Sequence, residues 1–451
     1  MTAYNWSIWS SPRRIQTNSR SMKSLLYFTL IFIAAQMLNA QSETEYNYDE
    51  SKVPQFELPD ILTTFTGNSI ESPNDWVEER RPELYSFFEK QVYGKVPGDL
   101  EDISFKIVEE GNALGGKAKR KQIEVTLAKN GKSLTFMMLL YLPKDANNVP
   151  VFLGYNFKGN HTVNEDPNII MTEAWVMNDE SLEITDNRAK ESSRGIRSSR
   201  WAIEKIVESR LGLATIYYGE VDPDKYDDNL AKKGDFTDGI HPLFLKEGKE
   251  HPKPDEWGSI AAWSFALSKA LNYFSADTDV NENKVIAFGH SRLGKTSLWA
   301  GATDERFAGV ISNDSGCGGA ALSKRKFGET VGRINRVFPH WFCDNFNEFN
   351  DKEETLPVDQ HQLLALIAPR PLYITSAKED EWADPKGEFL SAYYASSVYE
   401  LFEKKGISSD EMPEVNQSIQ HTVAYHIRTG KHDVTDYDWE QYIKWADKFI
   451  R

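Results

Sequence analysis

The sequence predicts an α/β fold, a three-layer sandwich in which helices cover both faces of a mainly parallel central sheet. Two observations predict it. From residue 149 onward, short apolar runs typical of buried strands alternate with amphipathic helical segments. Before that point, segments of alternating apolar and polar residues predict antiparallel strands that lead into the main sheet. In such sheets the functional crevice lies beyond the carboxyl ends of the parallel strands.

The elements can be justified in chain order. Trp76, Leu84 and Phe88 recur at near-helical spacing and predict a helix, and three alternating segments after it predict strands. The following apolar runs are continuous because a parallel strand is buried on both faces. The predicted helices are 75–93, 201–210, 257–274, 292–303, 359–367, 389–404 and 439–449. The predicted strands are 103–108, 121–127, 134–142, 151–155, 213–218, 284–288, 308–312, 371–376 and 422–427.

The N-terminal residues predict export. A basic start at Met22-Lys23, an apolar run of about ten residues and Ala40 before an acidic segment describe a secretory signal peptide over 22–40. The apolar run is too short for a membrane span, although a membrane anchor is the alternative. We interpret residues 1–21 as an upstream extension and 41–60 as a polar N-terminal tail. No repeat or linker interrupts 61–451, which predicts one catalytic domain in a secreted or periplasmic protein.

The charge excludes some partners. The chain carries 52 basic and 68 acidic residues, a net charge of −16. Residues 1–41 contain four basic and no acidic side chains, so the rest of the chain is more acidic still. Such a charge argues against nucleic acid or an anionic membrane surface as a partner. We expect a monomer without a membrane partner after signal cleavage.

Cys317 and Cys343 are the two cysteines of the chain. Export permits a disulfide between them, and two buried free thiols are the alternative. Cys317 lies among glycines with no histidine beside it in sequence, which argues against a cysteine nucleophile.

A serine at a strand-to-helix turn is the strongest chemical signal. Four apolar residues over 285–288 precede Gly289-His290-Ser291-Arg292-Leu293-Gly294-Lys295, and a helical segment follows. Glycines two before and three after a serine are typical of the nucleophile elbow of α/β-hydrolases. The alternatives are a structural turn serine and a phosphate loop, but the G-x-x-x-x-G-K spacing of the latter is absent.

A serine nucleophile needs a histidine base and an acid, which follow it in that fold in the order serine, acid, histidine. His432 lies after the last predicted strand, where the base belongs, whereas His421 and His361 begin a strand and a helix. The loops after two neighbouring strands offer Asp314 and Asp380 as the acid.

The acid stays open at this stage. The usual position in the fold favours Asp380 over Asp314, and the two sites may share the role; Glu379 and Glu381 are weaker candidates in the same loop. For the oxyanion, the backbone N–H of Arg292 is one donor by position, and its guanidinium is another candidate unless it forms a salt bridge on the helix surface.

The acidic segment 222–228 suggests calcium at first sight. Its spacing fits no EF-hand loop, so we expect an exposed acidic loop and neither a metal nor a cofactor.

Four segments together resemble the glucuronoyl esterases, carbohydrate esterase family 15, in their bacterial branch. They are the elbow at 289–295, Asp314-Ser315-Gly316-Cys317-Gly318-Gly319-Ala320-Ala321, Phe338-Pro339-His340-Trp341-Phe342 and Glu381-Trp382-Ala383-Asp384-Pro385. The resemblance covers roughly residues 50–451. It implies an α/β-hydrolase fold and metal-free cleavage of the ester that joins 4-O-methyl-glucuronate of glucuronoxylan to lignin alcohols.

The same resemblance implies residue roles. It makes Ser291 the nucleophile, His432 the base and Arg292 the oxyanion partner. It also implies that Lys295, Glu329 and Trp382 bind the hydroxyls and the ring face of the glucuronate.

The chain departs from the fungal members of the family at three positions. His290 and Asp433 stand where they have bridged cysteines, and Asp314 stands where they have glutamate.

The residue chemistry agrees with such a substrate. Lys295 lies one helical turn after Ser291 and on the same face. A uronoyl ester carries no acid charge, so its pocket gains from partners for neutral hydroxyls. The alternatives are that Glu329 is a solvated helix start and Trp382 a core aromatic. For the whole chain, the alternatives are an acetyl xylan esterase or another carbohydrate esterase on the same scaffold, and an inactive carbohydrate-binding protein.

Overall fold

A computed structural model of the protein describes residues 46–225 and 236–451. The chain divides into two compact units, 1–46 and 47–451, and all of the first except Tyr46 lies outside the described residues. The upstream extension, the signal peptide and residues 41–45 of the tail therefore stay predictions. Among the described residues, no helix combines the length and the apolar character that crossing a bilayer requires.

The described residues contain ten strands, all in one sheet. Their bounds are Asp102–Ala113 (β1), Ala118–Lys129 (β2), Lys132–Pro143 (β3), Val149–Asn156 (β4), Gly212–Tyr217 (β5), Val280–His290 (β6), Gly309–Asn313 (β7), Leu372–Ala377 (β8), Gln417–Ile419 (β9) and Val423–Arg428 (β10). The order is β1-β2-β3-β5-β4-β6-β7-β8-β10-β9. The six neighbouring strands β5, β4, β6, β7, β8 and β10 pair in parallel. The three N-terminal strands and β9 pair antiparallel with their neighbours.

Helices cover both faces of this sheet. The helices are Pro73–Asp75 (α1), Arg81–Phe88 (α2), Ile203–Glu208 (α3), Tyr218–Val221 (α4), Ser259–Ala270 (α5), Arg292–Thr303 (α6), Val331–Val337 (α7), Gln360–Ala365 (α8), Pro385–Leu401 (α9) and Asp436–Phe449 (α10). Helices α5, α6, α8 and α9 contribute to the larger apolar core, and α3 and α10 contribute to the core on the opposite face. All eight residues of β4 are buried because both faces of a central parallel strand are covered. The predicted three-layer α/β architecture is confirmed.

The structure differs from the sequence prediction mainly in short elements. Of the helix predicted over 75–93, regular α-helix occupies Asp75, the last residue of α1, and Arg81–Phe88, with π-helical turns over Trp76–Arg80 and Glu89–Tyr93. Helix α7 and strand β9 were not predicted, because elements of seven and three residues carry too little periodicity to detect.

Both cysteines are buried free thiols, so the disulfide that export would permit is not formed. Burial raises the pKa of the Cys343 thiol to about 12. Such a thiol is inert because the thiolate is the reactive form.

Candidate active site

Ser291 lies at a sharp turn between the last residue of β6 and the first residue of α6. Its backbone angles, φ 59° and ψ −131°, are strained for a residue with a side chain. The turn can be this tight because residue 289 is a glycine. A Cβ at this position would lie 1.8 Å from the carbonyl oxygen of Leu293. The Ser291 N–H donates to the Asn313 carbonyl at 2.8 Å and ties the turn to β7. This is the geometry of a nucleophile elbow.

His432 and Asp380 meet at the same edge of the sheet. His432 lies between β10 and α10, Asp380 lies in the loop after β8, and these two strands are parallel neighbours. His432 Nδ1 and Asp380 Oδ2 are 2.6 Å apart, and Asp380 is only 8% exposed. A carboxylate on Nδ1 fixes the tautomer whose Nε2 can accept a proton. No hydrogen bond joins Ser291 to His432 in the part of the chain that the structure describes, but both line one cavity.

Asp314, the other candidate acid, is close by but differently held. Single ligand atoms of Asp314, Asp380 and His432 all lie within 4.8 Å of one another. Asp314 Oδ2 accepts from Arg428 at 3.3 Å, and its Oδ1 is buried without a hydrogen bond. Burial raises the pKa of Asp314 well above its ordinary value, and Glu388 raises it further against the opposing effect of Arg428. A raised pKa works against the charged carboxylate that stabilises an imidazolium, and it is Asp380 that contacts His432 Nδ1 directly, so the two observations together favour Asp380.

The three groups are also the set of potential metal ligands among the described residues. However, Asp380 already accepts from His432, and Asp314 accepts from Arg428. The Asp380 oxygen thus serves the histidine and the Asp314 oxygen serves the arginine, and we interpret the cluster as part of a proton-transfer site built on His432 and Asp380.

Arg292 is held by a buried carboxylate. Its Nη1 forms an ion pair with Oδ2 of Asp224, and the guanidinium lies 4.7 Å over the ring of Trp341. Oδ1 of Asp224 accepts from His340 Nε2 at 2.7 Å and from Trp341 Nε1 at 2.8 Å. Burial acts to raise the pKa of Asp224, but Arg292 and these donors outweigh it and hold the pKa below its ordinary range. The Arg292 donors are thereby fixed beside the serine.

The expectation of an exposed loop over 222–228 is wrong for the residues that the structure describes there. Asp222 and Asp224 are 1% and 0% exposed, because Asp224 is surrounded by an arginine and several hydrogen-bond donors. Residues 226–228 lie outside the described part. One signal for Asp224 was available: it follows β5 closely, at the strand-end face where the site is expected.

Lys295, Glu329 and Trp382 lie together on one side of the serine. Lys295 is buried and its Nζ donates to the Ser315 carbonyl at 2.6 Å, while Glu329 and Trp382 are half-buried. Burial lowers the pKa of Lys295 and raises that of Glu329, and the attraction between the two charges opposes both shifts. The backbone N–H of Glu329 donates to the Trp382 carbonyl at 3.1 Å, which joins the two loops.

One cavity of about 360 Å³ gathers the whole candidate site. Eight residues named from the sequence line it: Ser291, Arg292, Lys295, Asp314, Glu329, Asp380, Trp382 and His432. The weaker acid candidates Glu379 and Glu381 are not among its lining residues. Its volume lies within the range of small-ligand pockets. A second cavity of about 190 Å³ shares Ser291, Arg292 and His432 with the first.

Comparisons with known proteins point to one enzyme family. A family model described as glucuronyl esterase of fungi matches residues 249–403. A carbohydrate esterase from an unidentified prokaryote is 49% identical over 403 residues, which cover 89% of this chain and 91% of that protein. A solved family 15 esterase from a marine bacterial metagenome, called promiscuous, is 48% identical with a TM-score of 0.83, and the match covers 90% of this chain and 100% of that one.

The chain belongs to carbohydrate esterase family 15. A solved glucuronoyl esterase from Solibacter usitatus is 45% identical with a TM-score of 0.80, over 88% of this chain and 99% of that one. The chain is therefore a carboxylic ester hydrolase with the α/β-hydrolase fold. The family, the fold and the enzyme class predicted from the sequence are thus confirmed.

Proposed function

We propose that this family 15 esterase is an exported serine esterase that hydrolyses the ester between 4-O-methyl-glucuronic acid of glucuronoxylan and lignin alcohols. The observation that carries the proposal is that one cavity, of about 360 Å³, is lined by the eight residues listed above. The substrate class follows from the family and from relatives named glucuronoyl esterases. Export is supported by the leader-like sequence at 22–40.

The reaction uses three residues in turn. His432 Nε2 takes the proton of the Ser291 hydroxyl while the oxygen attacks the uronoyl carbonyl carbon. Asp380, bonded to Nδ1, stabilises the imidazolium that forms. The alcohol leaves with that proton. A water molecule, deprotonated by His432, then releases the glucuronic acid from the acyl-enzyme and restores the serine.

Arg292 stabilises the tetrahedral oxyanion. Its backbone N–H belongs to the first turn of α6, where amide groups have no intrahelical partner. Its guanidinium is a second donor, pre-oriented by the buried Asp224. Removal of one such donor typically costs on the order of 10² to 10³ in kcat.

The sugar-side residues, Lys295, Glu329 and Trp382, bind the uronoyl group. The ester is uncharged, so recognition depends on its hydroxyls and ring face. Lys295 and Glu329 supply a donor and an acceptor in a poorly hydrated place, and Trp382 supplies an aromatic face. Unpaired buried polar groups would disfavour a substrate that lacks these hydroxyls.

The test compares benzyl glucuronate with acetylated xylan. We expect hydrolysis of the glucuronate ester to dominate and Ser291→Ala to lower kcat on the order of 10⁶-fold. Ser275→Ala, at an exposed serine, is the matched control and should leave kcat unchanged. A preference for acetyl groups would refute the proposed substrate and indicate an acetyl xylan esterase instead. This alternative is tested because the 48% identical relative is described as promiscuous. Unchanged turnover in Ser291→Ala would refute the serine mechanism.

A further inference from the structure

The second cavity opens onto the same serine but has different walls. Ser291, Arg292 and His432 line both cavities, whereas none of the sugar-side residues lines the second one. An ester bound at the nucleophile has an acyl half and an alcohol half on either side of its carbonyl carbon. If the proposed function holds, the first cavity takes the uronoyl half, and the second is left for the alcohol.

The size and the aromatic walls of the second cavity suit one aromatic ring. Its volume of about 190 Å³ exceeds the ~150 Å³ of a cavity known to admit benzene. Phe157 and Trp201 contribute rings to its lining. Trp201 is held in place by ring contacts with Phe288 at 5.9 Å and with Trp439 at 6.2 Å. A fixed indole offers contact area at little entropic cost.

The charge of this cavity is the decisive feature. Among the described residues that line it, none is a carboxylate and four are cations: Lys158, Arg197, Arg200 and Arg292. Their counter-charges lie outside the lining. Asp179 serves both Lys158, at 3.5 Å, and Arg197, at 3.9 Å, so one carboxylate faces two cations. Asp433 pairs with Arg200 at 2.5 Å. Asp224 pairs with Arg292. Three carboxylates thus face the four cations, which leaves one positive charge in excess at this cavity in a chain of net charge −16.

We propose that this cavity binds the alcohol half of the ester and selects aromatic alcohols that carry a carboxylate. Cationic donors in a partly dehydrated wall make stronger hydrogen bonds to a carboxylate than to a neutral group. They also attract an anionic ester to the site before it docks. The inference rests on the proposed function and adds a charge preference on the leaving-group side.

The test uses two matched esters, 4-carboxybenzyl glucuronate and its neutral counterpart, 4-carbamoylbenzyl glucuronate. We expect kcat/KM to favour the carboxylate about tenfold at low ionic strength, and the ratio to fall as salt is added. Arg197→Gln and, separately, Lys158→Gln should lower kcat/KM for the charged ester more than for the neutral one. Lys106→Gln removes an exposed charge on the edge strand β1 and should leave the ratio unchanged.

The outcomes separate this inference from the proposed function. Equal kcat/KM values for the two esters in the wild-type enzyme would overturn the charge preference while the esterase assignment stands. A carboxylate preference that is insensitive to salt and survives both lining variants would also overturn it, because another surface would then recognise the anion. Hydrolysis of neither ester would refute the proposed function itself.

Discussion

Replacement of Asp380 by asparagine tests the assignment of the triad most sharply. The variant keeps the shape of the side chain but removes its charge. It also replaces one acceptor by an amide that donates, and that donor favours the imidazole tautomer whose Nε2 carries the proton. His432 would then be unable to accept the serine proton. Asp314→Asn is the matched control, because it makes the same chemical change at a position with an atom within 4.8 Å of the same imidazole.

The structure sets the expected magnitudes. The His432–Asp380 contact is a charge-assisted hydrogen bond of 2.6 Å, worth about 1.5–3 kcal/mol, or roughly 10- to 150-fold in rate. The wrong tautomer can raise the loss to about 10⁴-fold. We therefore expect Asp380→Asn to lower kcat/KM on the order of 10² to 10⁴. Asp314→Asn should cost at most about tenfold, because its neighbour Arg428 retains Asp438 at 2.8 Å.

The assay measures kcat/KM for benzyl glucuronate in both variants, with the melting temperature of each as a check on folding. A larger loss in Asp314→Asn would make that residue the acid and refute the argument from its raised pKa. Losses above 100-fold in both variants would show a shared role, which the different partners of the two carboxyls do not predict.

Two further predictions concern buried carboxylates. Asp224→Asn should lower kcat on the order of 10²-fold and change KM less, because Arg292 loses its anchor; a kcat within threefold of wild type would contradict this in a folded variant. Burial raises the pKa of Glu388 from 4.5 to about 8. Between these values the native state binds a proton that the unfolded state has lost, so the stabilisation from this group is present below pH 4.5 and lost as pH rises to 8. Glu388→Gln mimics the protonated form and should lose less melting temperature than wild type between pH 5 and pH 8; a steeper loss would refute this.

The sequence predicts most of the sheet and the candidate site because strong local signals mark both. Buried parallel strands are continuous apolar runs, and the strand ends at 314, 380 and 432 carry polar side chains in the expected order. The choice between the two acids is not local. It depends on the burial of Asp314 and on Glu388 of α9, both of which raise the pKa of Asp314. Asp224 was missed for the same reason, since its partners His340 and Trp341 are more than 100 residues away in the chain.

The first turn of α6 determines how much backbone displacement the candidate site can tolerate. Arg292 and Lys295 belong to this turn and Ser291 immediately precedes it, so a displacement of the helix would move the nucleophile and both cationic groups together. The helix lies close to the end of the neighbouring strand β7. A Cβ on Gly294 would be only 3.0 Å from the Cβ of Ser315. Lys295 also bonds the Ser315 carbonyl and so couples the helix to the loop after β7. A misplacement of about 1 Å can cost 10²-fold in rate, so backbone packing at the glycines constrains this site as strongly as the reacting side chains do.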